Sequence, residues 1–226
     1  MAKRVKLLSL KPTQFAVGML EVDEKLAEVD KLDRKGRRKY VDANPVPVVV
    51  SPKGELYVVD HHHFLCVCYH AGIEKVRVEV VQDLSQRKLS YAAFWKWMFK
   101  HGRVYPFCQF GEGPRAALYL PRDIRGLADD PYRSLAWFVR RQGAFENSEK
   151  NFSEFQWANF FRKRRLLEKC GPDGMPKALP LAARLAQTPA ARRLPGYGKL
   201  NLTEKKKVER RVRKKVRALE AELEET

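Results

Sequence analysis

Cysteine is scarce in this chain: 226 residues include only Cys66, Cys68, Cys108 and Cys170. No CxxC pair occurs, so neither a disulfide framework nor a cysteine-pair zinc site organises the fold. Long apolar runs are missing as well. The segment Phe64 to Ile73 is free of Asp, Glu, Lys and Arg, yet it falls far below the roughly 20 residues of a spanning helix, so no membrane partner is expected. The basic head of MAKRVKLLSLKPTQ is followed by too short an apolar run for a secretory signal, and the chain reads as cytoplasmic. Acidic residues are outnumbered, 27 against 45 Lys plus Arg, for a net charge of +18. That balance excludes an acidic, self-solvating protein and points to anionic partners. With 44% hydrophobic and 11% aromatic residues, the chain has the means to bury a core.

Periodicity divides the chain. Val5 to Leu10 reads as a strand, and Val22, Leu26, Val29 and Leu32 recur at helical spacing from about Glu21 to Leu32. Arg34 to Arg38 reads as a charged break. Pro45 to Val50 and Leu56 to Val59 read as strands joined by a tight turn at Ser51 to Gly54. His61 to Ala71 reads as a helix closed by Gly72, and Val76 to Val81 as another strand. After Ser85 strand signals cease. Tyr91 to Lys100 reads as an aromatic helix lying on the sheet. Asp130-Pro131 opens a further helix ending at Gly143, Ser153 to Gln156 reads as a capping box for a helix reaching Cys170, and shorter helical pieces surround Thr188-Pro189. The expected class is α+β, with a small mixed-sheet α/β domain over 1–85, a helical subdomain over 86–198 and a basic helical tail over 199–226.

The chemistry concentrates at Asp60-His61-His62-His63, where a strand gives way to a helix. Such a junction presents unpaired N–H groups to a phosphate, and histidines there add hydrogen bonding or proton transfer near neutral pH. The three histidines alone do not make a metal site, because consecutive helix residues point about 100° apart. A metal would need Asp129, Asp130 or Glu21 as well. Asp60 has two readings: an N-cap accepting from His62 or His63, or a ligand for Mg²⁺ and an attacking hydroxyl. The segment Asp129-Asp130-Pro131-Tyr132-Arg133 also has two: Asp129, Asp130 and Arg133 facing the histidines to hold Mg²⁺ or a substrate amine, or Asp130 capping the helix while Tyr132 and Arg133 tie two subdomains together.

The order of strand, KPTQ (Lys11 to Gln14), helix, PVPVVVSPKGELYVVDHHHF (Pro45 to Phe64) and AGIEKVRVEVV (Ala71 to Val81) resembles the ParB/sulfiredoxin superfamily domain. With FWxxM (Phe94 to Met98), DDPYRSLAWFVR (Asp129 to Arg140), EFQWANFFR (Glu154 to Arg162) and Pro195-Gly-Tyr197, the chain more closely resembles the ParB-like nuclease family with a DHHH motif. The resemblance implies a fold that holds nucleotide phosphates at the helix after the motif strand. Superfamily members hydrolyse CTP while clamping DNA, phosphorylate free serine, or repair a cysteine sulfinic acid with ATP. The serine-kinase-like members carry a DGHHR-type motif, matched here by Asp60, His62 and His63. His61 stands in place of its glycine and Phe64 in place of its arginine. No cysteine occupies the motif position, which argues against sulfiredoxin chemistry.

The resemblance thus implies Asp60, His61, His62 and His63 as catalytic candidates, with Gln14, Lys25, Arg133 and Asp129 holding phosphate or substrate. It implies a nucleotide cofactor (ADP, ATP or CTP) with Mg²⁺. Three functions compete: phosphoryl transfer or phosphate-ester hydrolysis, a nuclease acting on DNA or RNA, and a non-catalytic DNA-binding protein with a nucleotide switch. The tail adds a nucleic-acid candidate in Lys205, Lys206, Lys207, Arg210, Arg211, Arg213, Lys214 and Lys215. Its apolar stripe, Val208, Val212, Val216, Leu219 and Leu223, either packs on the body or pairs with a second copy as a homodimer.

Overall fold

The computed structural model describes residues 3–148, 151–171 and 174–198. The chain forms two compact units, Met1–Asp130 and Pro131–Thr226. The architecture is mixed α+β, and no helix among the described residues is long and apolar enough to cross a membrane.

The first unit is built on a four-stranded sheet in the order β1-β5-β3-β4. Its strands are β1 (Lys3–Lys6), β3 (Val46–Val50), β4 (Leu56–Val58) and β5 (Lys75–Asp83). β3 pairs antiparallel with β4 and parallel with β5, and β1 pairs antiparallel with β5. Alternation divides the side chains. Val46, Val48, Val58, Val76 and Val78 join Leu65, Val67 and Val22 in one buried cluster, under α1 (Met19–Asp30), α2 (Arg34–Ala43) and α3 (His62–His70). Val49 and Val59 face the other way and meet Phe94, Trp95 and Met98 of α4 (Tyr91–Lys100). Cys66 and Cys68 are buried on α3, and burial pushes both thiols up to about 12, so they stay protonated.

The structure departs from the periodicity in several places. The expected strand Val5 to Leu10 ends at Lys6, and Leu7–Ser9 turns as a short 3-10 helix that buries Leu7. The charged segment Arg34 to Arg38 is not a break but the start of α2. Asp33 caps it by accepting from the Gly36 N–H at 2.6 Å, and Arg37 donates to the Ala71 carbonyl at the end of α3 at 2.7 Å. The charges that suggested a loop sit on the open face of a helix and at the negative end of its neighbour. A second sheet, unsignalled because each strand has two residues, pairs β2 (Ala16–Val17) in parallel with β6 (Ala128–Asp129).

In the second unit α5 (Pro131–Arg141), α6 (Ser153–Arg162), α7 (Leu166–Lys169) and α8 (Gly174–Leu185) surround Trp157, Phe161, Leu135 and Leu179. The expected capping box at Ser153 is not formed. Phe152 is the N-cap, at φ 57°, with no side-chain cap bond, and Glu154 instead binds Arg133 and Arg140. The helix also stops at Arg162. Arg165 turns through φ 53° so that Leu166 enters the core, and the Leu167 N–H reaches the Tyr132 hydroxyl at 3.1 Å. Gly196, at φ +75°, lies against the backbone of Glu146: a Cβ there would stand 2.0 Å from the Glu146 carbonyl oxygen. The basic tail residues Lys205 to Lys215 lie outside the described residues.

Candidate functional site

The site is the turn from β4 into α3. His61 is the N-cap of α3 and is left-handed, at φ 67° and ψ 24°. This is the position where the DGHHR-type motif has glycine, and a left-handed backbone explains that preference: L side chains there cost roughly 1–2 kcal/mol. Asp60 is not the N-cap. Its Oδ1 accepts from the His61 N–H at 2.6 Å, and no side-chain cap bond or acidic residue occupies the first turn of α3. No side-chain carboxylate therefore caps the first-turn amides.

The three histidines have different duties. His62 is buried, 2% exposed, and its Nε2 accepts from the Thr13 N–H at 3.2 Å. That bond places the ring proton on Nδ1. Burial, then the neighbouring His61, pushes its pKa down to about 3, so the ring is neutral. The Thr13 hydroxyl donates to the Val58 carbonyl at 2.6 Å, so the KPTQ loop is fastened from both sides. His63 reaches the other end of that segment, its Nε2 accepting from the Gly18 N–H at 2.9 Å. His61 has a ring without a hydrogen-bond partner among the described residues, and its Nδ1 is buried.

Around His63 the start of α1 completes the site. The Met19 N–H donates to Asp129 Oδ1 at 2.9 Å, so His63 and Asp129 together take the first two amides at that end. Glu21, buried in the first turn of α1, lies 3.4 Å from His63 Nε2 and 2.5 Å from Lys25 Nζ. One imidazole nitrogen does not accept from Gly18 and donate to Glu21 together, so with Gly18 bound the Glu21 charge is matched by Lys25.

The structure thus brings Asp60, His61, His62, His63, Lys25 and Asp129 into one connected region of the first unit. Gln14 is buried in the same loop segment, its Nε2 donating to the Ala16 carbonyl at 2.6 Å. Arg133 belongs to the second unit, where it pairs with Glu154 and lies 5.6 Å from the Phe155 ring centroid. Thr13 and Gly18 carry no sequence signal as site residues, because they act through backbone amides. Glu21 has one: a glutamate four residues before Lys25 at the start of an amphipathic helix. Among the described residues no three His, Cys, Asp or Glu gather as a metal cage.

Comparisons with known proteins agree with this architecture. The crystal structure of protein Atu1540 from Agrobacterium tumefaciens is similar, at 35% identity and a TM-score of 0.78, over 89% of this chain and 100% of that one. No curated protein matches the chain. The family model described as "Putative ParB-like nuclease" matches residues 3–163. That span takes in the KPTQ loop, the start of α1 and the whole Asp60–His63 turn, and the chain belongs to the ParB-like nuclease family.

Proposed function

We propose that the protein binds the phosphates of a nucleotide at the start of α3 and transfers or hydrolyses a phosphate ester there. The observation that carries this reading is the start of α3, which no side chain caps, with Asp60 turned back onto the His61 amide. A helix start of this kind offers N–H donors and the positive end of the helix dipole to an anion. His61, whose ring makes no hydrogen bond among the described residues, is the histidine for donating to or accepting from the reacting phosphate. His62 and His63 are positioning residues, since their Nε2 atoms hold Thr13 and Gly18. ADP, ATP and CTP are the candidate nucleotides. Mg²⁺ fits as an ion carried mainly by the phosphates with one exposed carboxylate, Asp60, because that ion is commonly held by one or two carboxylates plus phosphate. When bound it would neutralise charge on the phosphates. The family's description favours a second reading, in which the ester is a phosphodiester of DNA or RNA.

Thermal melts against ADP, ATP, CTP and GTP, with and without Mg²⁺, test the first reading. A nucleotide at 100 times its Kd stabilises by about 2.7 kcal/mol, roughly 5–10 °C at this size. The expected result is a shift with one nucleotide, retained in His61→Gly while turnover is lost. No shift with any nucleotide, together with cleavage of end-labelled DNA or RNA, replaces it by the nuclease reading. Neither shift nor cleavage refutes both.

A further inference from the structure

The sheet of the first unit has a second charged feature, on the face turned away from α3. Val5, Val76 and Val78 point into the core that α3 covers. Alternation therefore puts Arg4 and Lys6 of β1 on the opposite face, with Lys75 and Arg77 of β5. α4 covers that face over β3 and β4 through Phe94, Trp95 and Met98. Over β1 and β5 it carries cations instead. The register sets Arg4 directly across from Arg77, and Lys6 directly across from Lys75.

Like charges directly opposite each other destabilise an antiparallel pair. One carboxylate compensates part of this array. Asp42, near the end of α2, accepts from Arg4 at 2.5 Å and lies 3.9 Å from Arg38, and its carbonyl accepts from Arg77 at 3.1 Å. Lys6 and Lys75 have no acidic partner among the described residues, and both are exposed. Of the five cations only Arg4 and Arg38 thus meet a carboxylate, that of Asp42, while Glu79, next on the same face of β5, bounds the patch. Among the described residues no aromatic ring is in cation–π contact with any of the five. A single-strand binder interleaves aromatic platforms with its cations, whereas a duplex needs only contacts to phosphate.

We infer that the outer face of β1 and β5 (Arg4, Lys6, Lys75 and Arg77, with Arg38) is a docking surface for the phosphate backbone of a nucleic-acid duplex. This surface is separate from the α3 turn and does not depend on the reaction there. It also differs from the basic tail, since it is formed by a fixed strand register. Because all five side chains address phosphate, it binds without regard to base sequence.

The test is fluorescence anisotropy of the full-length protein with a labelled 25-bp DNA duplex between 50 and 400 mM salt, comparing Lys6→Gln/Lys75→Gln with wild type. Each phosphate contact contributes about 0.9 to the slope of log K against log salt. Losing two should make the slope shallower by about 1.8, which is about 60-fold weaker binding at 0.1 M salt when affinity at 1 M is unchanged. A charge-matched control neutralises two exposed lysines of α4, Lys96→Gln/Lys100→Gln, and should leave the slope as it is. A thermal melt checks folding: removing the unpaired Lys6–Lys75 repulsion should leave Tm equal to or above wild type. Equal loss in both double variants would overturn the proposal, showing diffuse charge rather than a surface. So would an unchanged slope in Lys6→Gln/Lys75→Gln, or tighter binding of the matching single strand than of the duplex.

Discussion

Replacing His61 by glycine should stabilise the protein, although glycine at the start of a helix ordinarily does the reverse. At φ 67° a side chain costs roughly 1–2 kcal/mol, a cost glycine does not bear. The buried Nδ1 of His61 has no partner, worth about 1–3 kcal/mol of desolvation that the substitution relieves. Against these stand the loss of the His61–Phe64 ring contact at 6.0 Å, about 0.5–1.5 kcal/mol, and the greater freedom of glycine in the unfolded chain, about 0.5–1 kcal/mol. The balance is a gain of about 2 kcal/mol, a rise in Tm of roughly 4–8 °C for a chain of this length. His61→Ala is the control. It relieves the same nitrogen and loses the same ring contact, but keeps the left-handed penalty. Glycine should therefore exceed alanine by about 1 kcal/mol, opposite in sign to the helix-interior preference of alanine over glycine. Urea unfolding at pH 7 followed by circular dichroism measures both. An alanine variant as stable as the glycine variant would refute the strain argument.

Other consequences follow from the same contacts. His62 binds a proton less readily folded, at about 3, than unfolded, near 6.5, so its neutral ring contributes stability that is complete above pH 6.5 and is lost as pH falls toward 3, by at most about 1.4 kcal/mol per pH unit. Urea titrations at pH 7, 6 and 5 should show that slope in wild type and its absence in His62→Gln, whose amide oxygen can still accept from Thr13. Asp129→Ala removes the acceptor of the Met19 amide and should cost about 1 kcal/mol, with faster hydrogen exchange confined to the first turn of α1. Glu154→Ala removes the carboxylate that pairs with both Arg133 and Arg140 and should destabilise the second unit by about 1.5–3 kcal/mol, read as a lower urea midpoint by tryptophan fluorescence. Gly196→Ala should cost more than about 2 kcal/mol in the same assay, from positive φ and the clash with Glu146 together.

The sheet and the α3 helix were legible because their signals are local: Val46 to Val50 and Leu56 to Val58 alternate or run apolar, and Gly72 marks the end of α3 at φ +71°. α2 was illegible because its apolar contribution is narrow, Tyr40 and Val41, while its cap and its Arg37 contact depend on neighbours. Ser153 and Gln156 carried a capping signal, but the helix begins one residue early, with Phe152 in a left-handed conformation as N-cap, so Ser153 falls inside the first turn and out of capping register. At the site, the sequence located Asp60 to His63 but not the division of labour among the histidines. That division depends on two backbone amides, Thr13 and Gly18, which leave no trace in a string of side chains.

The capping of α1 also has a consequence for the order in which this protein takes shape. Its first amides are received by His63 and Asp129, 45 and 110 residues downstream of Gly18 and Met19. During synthesis at roughly 5–20 residues per second, His63 is made well before Asp129, which follows 66 residues and about 3–13 s later. For that interval the nascent chain holds the Asp60–His63 turn with the start of α1 only half closed. The first unit is finished by the residues that also end it, so the closed start of α1 arrives with its last two-residue strand and not with the motif.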